Sequence, residues 1–343
     1  MKETTVKIEV LNDHFRRYFP SLKNYPEKYL HLFNYAADTQ PYHFAYLCPL
    51  CLRNGIMISN ENGLSMHCEF SPDHYPPKSV GGSDSLLVCT HCNSQAGKDY
   101  DFSLKQKIKD IAFLKRVPSA TIVSKHLKVE RSSSDVVGSY PALFKIAKDG
   151  EMELSVKPFK IHAPYLDEFI EYSKIKRDYK LIVNIQMADE IKVARAVIKA
   201  AYLQCFEFWG YEFAFSYSAG MIREVISGEC QYPVDAPTFY MGDALKSNDG
   251  LKIPKGICYL NNPEELKAFA VTMCLTDKDS DFSEIIGVMI PGPDKEHWEK
   301  FARIKEFIIK SSELNVELMQ VREFYIPDCK SGYSKCWSLL NQN

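Results

Sequence analysis

The sequence predicts an α+β protein of two domains, a small one built around a cysteine-rich segment and a larger one of mixed strands and helices behind it. Three observations lead there. The chain has 343 residues, more than one core usually encloses. Two Cys-x-x-Cys pairs, Cys48/Cys51 and Cys89/Cys92, bracket a stretch too short to have much core of its own. Beyond residue 135, short alternating apolar runs are interleaved with amphipathic helical patterns. The first domain is assigned to residues 1–130 and the second to 136–343, with polar Glu130–Asp135 as the linker.

In order along the chain, Tyr25–Tyr35 reads as a short helix whose apolar face carries Tyr29, Leu30, Leu32 and Phe33. Leu104–Lys115 reads as a helix with Ile108, Ile111, Ala112 and Leu114 apolar, ended by Pro118. Ala120–Lys128 is extended. Glu153–Phe159 and Lys180–Gln186 alternate as half-buried strands do. Ile191–Trp209 is the strongest helix, with Val193, Ala194, Val197, Ile198, Ala201 and Tyr202 on its apolar side and Gly210 at the stop position. Ser218–Ser227 is a shorter helix, with Ser218 a candidate N-cap. Ile257–Leu260, Ala268–Leu275 and Ile285–Ile290 read as strands, Glu296–Ser311 as an amphipathic helix, and Val316–Val321 as a final strand.

A net charge of −2 excludes a global polycation, so any nucleic-acid binding must use a local basic surface. The N-terminus lacks a continuous apolar h-region, and no run approaches the ~18 apolar residues of a membrane span. With eleven cysteines, an odd number, the expectation is a cytoplasmic protein whose thiols bind metal or pack in a core, with no membrane partner.

The two knuckles carry the first chemistry. Zinc prefers tetrahedral thiolate or imidazole ligands, and a Cys-x-x-Cys turn presents two sulfurs in that geometry. Two such turns across one loop predict a structural Zn²⁺ held by Cys48, Cys51, Cys89 and Cys92. The alternatives are a redox pair, or substitution of His67 or Cys68 for one ligand.

Between the knuckles stands Asp73-His74, and directly after the second comes Asn93. Hydrolysing a phosphodiester needs an activated water, a cation for the developing charge, and an oriented phosphate. Asp73 offers a hard oxygen to Mg²⁺ or Mn²⁺, His74 supplies an imidazole, a side-chain type suited to taking a proton from water, and Asn93 offers a second oxygen. The bland reading is a turn with a hydrogen-bonded histidine.

The run His67-Cys-Glu-Phe-Ser-Pro-Asp73-His74-Tyr-Pro-Pro-Lys78, followed by Leu86-Leu-Val-Cys89-Thr-His-Cys92-Asn93-Ser-Gln-Ala-Gly97-Lys98, resembles an HNH endonuclease of the zinc-knuckle type. The resemblance covers about residues 47–102. It implies a ββα-metal fold, with a hairpin ending near Asp73-His74 and a helix beginning near Asn93. It implies His74 as general base, Asp73 and Asn93 as ligands of a catalytic Mg²⁺ or Mn²⁺, and the four cysteines as structural zinc ligands. The position that commonly carries a further ligand after Asn93 is not histidine here; Asp99 or Asp101 is the candidate. Glu69 is offset from the usual spacing and is at most a supporting residue. Lys78 and Lys98 flank the site and are candidate phosphate contacts, or solvated surface lysines. Lys105, Lys107, Lys109, Lys115 and Arg116 form a candidate duplex-facing stripe.

Nothing after residue 135 carries a chemical motif; His162 and His297 are isolated. The larger domain is expected to bind DNA, a protein partner or an activating ligand, or to form a homodimer. Proteins of this layout resemble bacterial or phage-defence nucleases in which an appended domain controls cutting. The sequence reading is thus a metal-dependent endonuclease acting on double-stranded DNA. The alternative is a non-catalytic zinc ribbon that binds nucleic acid or protein.

Overall fold

Leu11, Phe15, Tyr18 and Leu22 recur every three or four residues and are all buried. That stripe makes Ile8–Leu22 an α-helix, α1. The sequence reading assigned no element there; Pro20 stands inside the helix. Tyr25–Tyr35, read as one helix, instead contains two 3₁₀ turns, Pro26–Lys28 and Leu30–Phe33. The computed structural model describes residues 8–33, 42–59, 63–131, 136–156, 179–230, 238–240, 256–262, 268–303, 317–320 and 332–340.

A three-stranded antiparallel sheet follows, in the order β1 (Tyr42–Leu47), β2 (Gly55–Ser59), β3 (Gly63–Met66). Next comes a hairpin of β4 (Phe70–His74) and β5 (Ser85–Cys89), pairing Phe70 with Cys89, Asp73 with Leu86 and His74 with Ser85. A Cβ at Gly82 in its loop would run into the Pro76 carbonyl, so only glycine fits there. Helix α2 (Thr90–Ala96) starts directly from β5. A π-turn, Gly97–Asp101, joins α2 to α3 (Phe102–Leu114).

Helix α3 runs as the periodicity of Leu104–Lys115 implies. Beyond it, β6 (Thr121–Arg131), β7 (Val136–Ile146), β8 (Met152–Val156) and β9 (Tyr179–Ile185) form a four-stranded antiparallel sheet in the order β8-β7-β6-β9. Glu130 pairs with Val136. The polar stretch chosen as the linker therefore joins two paired strands; Ser132–Asp135 themselves lie outside the described residues.

The strongest predicted helix is α4 (Glu190–Trp209), followed by the short α5 (Tyr211–Ala214) and by α6 (Tyr217–Ser227). The cap of α6 is Ser216, whose side chain accepts from the Ala219 amide, and not Ser218. Ser218 is buried and donates to the Gly292 carbonyl. A five-stranded sheet has the order β10 (Thr238–Tyr240), β13 (Phe282–Ile290), β12 (Ala268–Asp277), β11 (Gly256–Asn262), β14 (Glu317–Gln320). Helices α7 (Lys295–Ala302) and α8 (Tyr333–Leu340) complete the described elements. Residues 304–311, read as the rest of the helix at Glu296, lie outside the described residues. The elements are helices with antiparallel sheets, an α+β composition.

The chain divides into two compact units, and the division is not the one expected. The first unit comprises residues 1–102, 191–275 and 284–343, and the second 103–190 and 276–283. The knuckle segment thus shares a unit with α4, α5 and α6 from the second half of the sequence. In the second unit, Ile122, Ala142 and Phe144 form a buried cluster with Phe113 and Ile185 against it. There Lys107 pairs with Glu190 and Lys109 with Asp279, each at 2.5 Å, so two cations of the proposed duplex-facing stripe are already partnered. In the first unit Trp209, Phe213, Phe269, Tyr333 and Trp337 make a continuous aromatic core.

Candidate metal centre and the Asp73 site

The first knuckle is the turn between β1 and β2. The Cys48 amide donates to the Asn54 carbonyl at 2.8 Å and the Leu52 amide to the Cys48 carbonyl at 2.9 Å. Leu52 takes the left-handed conformation, φ 53°. The second knuckle spans a strand end and a helix start: Cys89 closes β5 and caps α2, and Cys92 lies in the first helical turn.

The four sulfurs all lie within 4.8 Å of one another, and Cys51 Sγ stands 3.9 Å from Cys89 Sγ. A tetrahedron with Zn–S bonds of about 2.3 Å has S···S edges of about 3.8 Å, so the donor set fits zinc. The Asn54 amide points at Cys89 Sγ at 3.3 Å, and the Cys89 N–H donates to Cys48 Sγ at 3.4 Å. Such donors stabilise thiolates from outside the ligand set. Hydrogen bonding from Cys48 brings the Cys51 thiol down to about 7, while burial pushes Cys48 well up.

His67 is not a ligand. Its Nε2 donates to the Leu32 carbonyl at 2.7 Å, its Nδ1 accepts from the Gly55 amide at 3.1 Å, and its ring stacks on Phe33. Cys68 is outside the four-sulfur group.

Three tyrosines fasten the knuckles within the first unit. The Tyr46 hydroxyl donates to the Leu87 carbonyl at 2.7 Å. Tyr202 of α4 donates to the Pro49 carbonyl at 2.8 Å. The Tyr211 hydroxyl of α5 donates to the Leu47 carbonyl at 2.7 Å and accepts the Leu47 amide at 2.6 Å. Burial raises the pKa of all three phenols, so they remain donors at any ordinary pH.

Asn93 sits one residue beyond Cys92 in α2. Its Nδ2 donates to Ser71 Oγ at 2.9 Å and to the Pro72 carbonyl at 3.2 Å. These bonds tie the helix start to the strand residues just before Asp73-His74. His74 ends β4 and is half-buried.

Asp73 is differently placed from the expectation. It is buried, and both its oxygens face the ammonium of Lys199 in α4, at 3.2 and 3.1 Å. The same ammonium meets Asp101 Oδ2 at 2.9 Å. Side-chain exposures are 0% for Lys199, 5% for Asp73 and 15% for Asp101. Burial pushes the Asp73 carboxyl above its usual range, while the Lys199 ammonium pulls the other way. Of the two acids proposed for the remaining ligand position, Asp101 is the one joined to Asp73; the π-turn carries it there. Its Oδ1 is buried and has no hydrogen-bond partner among the described residues.

Lys199 is the residue that sequence reasoning missed. The signal was present: it falls three residues before Tyr202 and seven before Phe206, on the buried side of α4, where a lysine needs a buried anion. Another α4 residue also reaches the hairpin. Tyr75, next to His74, donates to Glu207 Oε2 at 2.6 Å. Lys78, Lys98 and Glu69 are exposed. Lys98 and Asp99 line a shallow depression of about 550 Å³ along α2. A larger cavity of about 690 Å³ lies between the first knuckle, α2 and α6; Asn54, His91, Gln95, Arg223 and Glu224 are among its lining, but Asp73, His74 and Asn93 are not.

Comparison with models of known families, with characterised proteins and with solved structures finds no match to this chain. Among the described residues no helix is long and apolar enough to cross a membrane.

Proposed function

We propose that the chain is an endonuclease of the HNH type that hydrolyses DNA phosphodiester bonds in a reducing, cytoplasmic compartment. The observation that carries the reading is the pair of hydrogen bonds from Asn93 to Ser71 and Pro72. They join a β4–β5–α2 unit, stiffened by a four-cysteine cluster, at the place where Asp73-His74 stands. In this reading His74 is the general base. Its imidazole accepts a proton from water as the oxygen attacks phosphorus, and the 3′-oxygen leaves. Asn93, with its amide hydrogens given to Ser71 and Pro72, keeps its carbonyl oxygen for a cation or a phosphate-bound water. The four cysteines hold Zn²⁺, which fixes the geometry without touching substrate. Lys78 and Lys98, both exposed, contact phosphates, and double-stranded DNA is the preferred partner.

The expected Mg²⁺ or Mn²⁺ at Asp73 does not fit the conformation described, because both carboxylate oxygens already face Lys199. That burial also favours a second reading, in which Asp73 is structural and the knuckle is a binding module without catalysis. Incubation with supercoiled plasmid separates the two, using Mg²⁺, Mn²⁺ or EDTA, in the wild type and in a Lys199→Met background. Metal-dependent nicking that His74→Ala abolishes, with zinc content retained, supports the nuclease. DNA binding without cutting in both backgrounds, indifferent to EDTA that spares zinc, supports the binding module.

A further inference from the structure

We propose that the Lys199 ammonium is the resident cation of the Asp73–Asp101 site and excludes a divalent ion from the Asp73 carboxylate. Lys199 Nζ stands between the two acids, 3.1 and 3.2 Å from the oxygens of Asp73 and 2.9 Å from Asp101 Oδ2. It also lies over the Tyr100 ring, 5.7 Å from its centroid. The side chain is wholly buried.

A hard divalent ion takes carboxylate oxygens at about 2.1 Å. Bound to Asp73, it would stand within a few ångströms of Nζ. Two cations that close, with little water between them, repel strongly, so the carboxylate holds one or the other. Without the ammonium, two carboxylates would face one buried space, and Asp101 Oδ1 is already unpartnered. A buried pair of that kind takes up either a cation or a proton, and Mn²⁺ competes for it without Lys199 in the way. The arrangement makes Lys199 the element that decides whether the site is metal-dependent. The inference rests on the proposed nuclease reading only in taking Asp73 as the place where a catalytic cation is expected, and it does not rest on cutting.

The test is Mn²⁺ binding to the zinc-loaded full chain, followed by electron paramagnetic resonance of free Mn²⁺. Wild type, Lys199→Met, and Lys199→Met with Asp73→Asn are compared. Lys199→Met gains one Mn²⁺ per chain, at least tenfold tighter than any site in the wild type, and Asp73→Asn removes the gain. Equal binding by wild type and Lys199→Met, or a gain that survives Asp73→Asn, overturns the proposal. Circular dichroism and zinc content report whether Lys199→Met is folded. If it is not, the wild type carries the test: tight Mn²⁺ binding that Asp73→Asn abolishes overturns the proposal, and its absence agrees with it. The readout separates the two ideas. A gain of Mn²⁺ without plasmid cutting leaves the exclusion standing and removes the nuclease. Cutting by the wild type with Asp73-dependent Mn²⁺ binding does the reverse.

Discussion

Tyr211→Phe tests how the second half of the chain holds the first knuckle. The hydroxyl serves both polar groups of one residue, donating to the Leu47 carbonyl at 2.7 Å and accepting the Leu47 amide at 2.6 Å. Tyr211 and Leu47 are both fully buried. Removal of one oxygen therefore leaves a donor and an acceptor orphaned where water does not reach. Each orphaned group costs about 1–3 kcal/mol, so the expected loss is about 2–6 kcal/mol. The ring still packs against Phe206 and Tyr46, so the loss reports the hydrogen bonds rather than a cavity. Urea unfolding followed by far-ultraviolet circular dichroism gives the number, with Tyr25→Phe as the control. Tyr25 is half-buried at the edge of the unit, and its variant is expected within about 0.5 kcal/mol of wild type. The midpoint should fall in Tyr211→Phe, and zinc should be lost at a lower urea concentration. A loss below about 0.5 kcal/mol for Tyr211→Phe would refute the reasoning, since it would mean that Leu47 is not held by α5.

Three further outcomes are expected. Removal of zinc by a strong chelator, or Cys92→Ala, lowers the stability of the first unit by several kcal/mol, because structural zinc sites contribute about 10–16 kcal/mol of binding to folding; thermal unfolding with and without chelator reads it. The fragment 1–130 lacks Lys199, Tyr202 and Tyr211 and does not fold as a zinc-bearing unit; proton NMR dispersion and zinc stoichiometry check this. Stability falls as pH drops below about 6.5 through His14. The neutral ring accepts the Leu87 amide on Nε2 at 3.2 Å, and burial lowers its pKa from 6.5. The unfolded chain therefore binds the proton first, and the stabilisation present above 6.5 is lost on acidification. His14→Gln should flatten that part of the pH profile.

Much of the candidate site was legible because its chemistry is local in sequence. Cys-x-x-Cys spacing is a property of one turn, so the four cysteines that cluster could be read without knowing the fold. Helix α4 was legible from its apolar periodicity, whereas the alternation at Glu153–Phe159, read as a half-buried strand, is a strand whose described side chains, Met152–Ser155, are exposed. Helix α1 was equally readable from Leu11, Phe15, Tyr18 and Leu22, but no helix was assigned there. His67 shows the limit of reading by residue type: it sits among metal-binding residues, yet both its ring nitrogens are used by backbone groups.

What the sequence determined by itself was the α+β composition and the four-cysteine set; the nearness of Asn93 to Asp73-His74 was implied by the family resemblance. Only the tertiary structure decided the domain division and the state of Asp73. The knuckle segment is too small to bury its own polar backbone. Tyr202 and Tyr211, more than 150 positions away along the chain, complete its hydrogen bonding. Asp73 likewise meets Lys199 across 126 positions. No spacing rule connects residues that far apart. Their pairing follows from burial, because an aspartate and a lysine that both leave water must find each other.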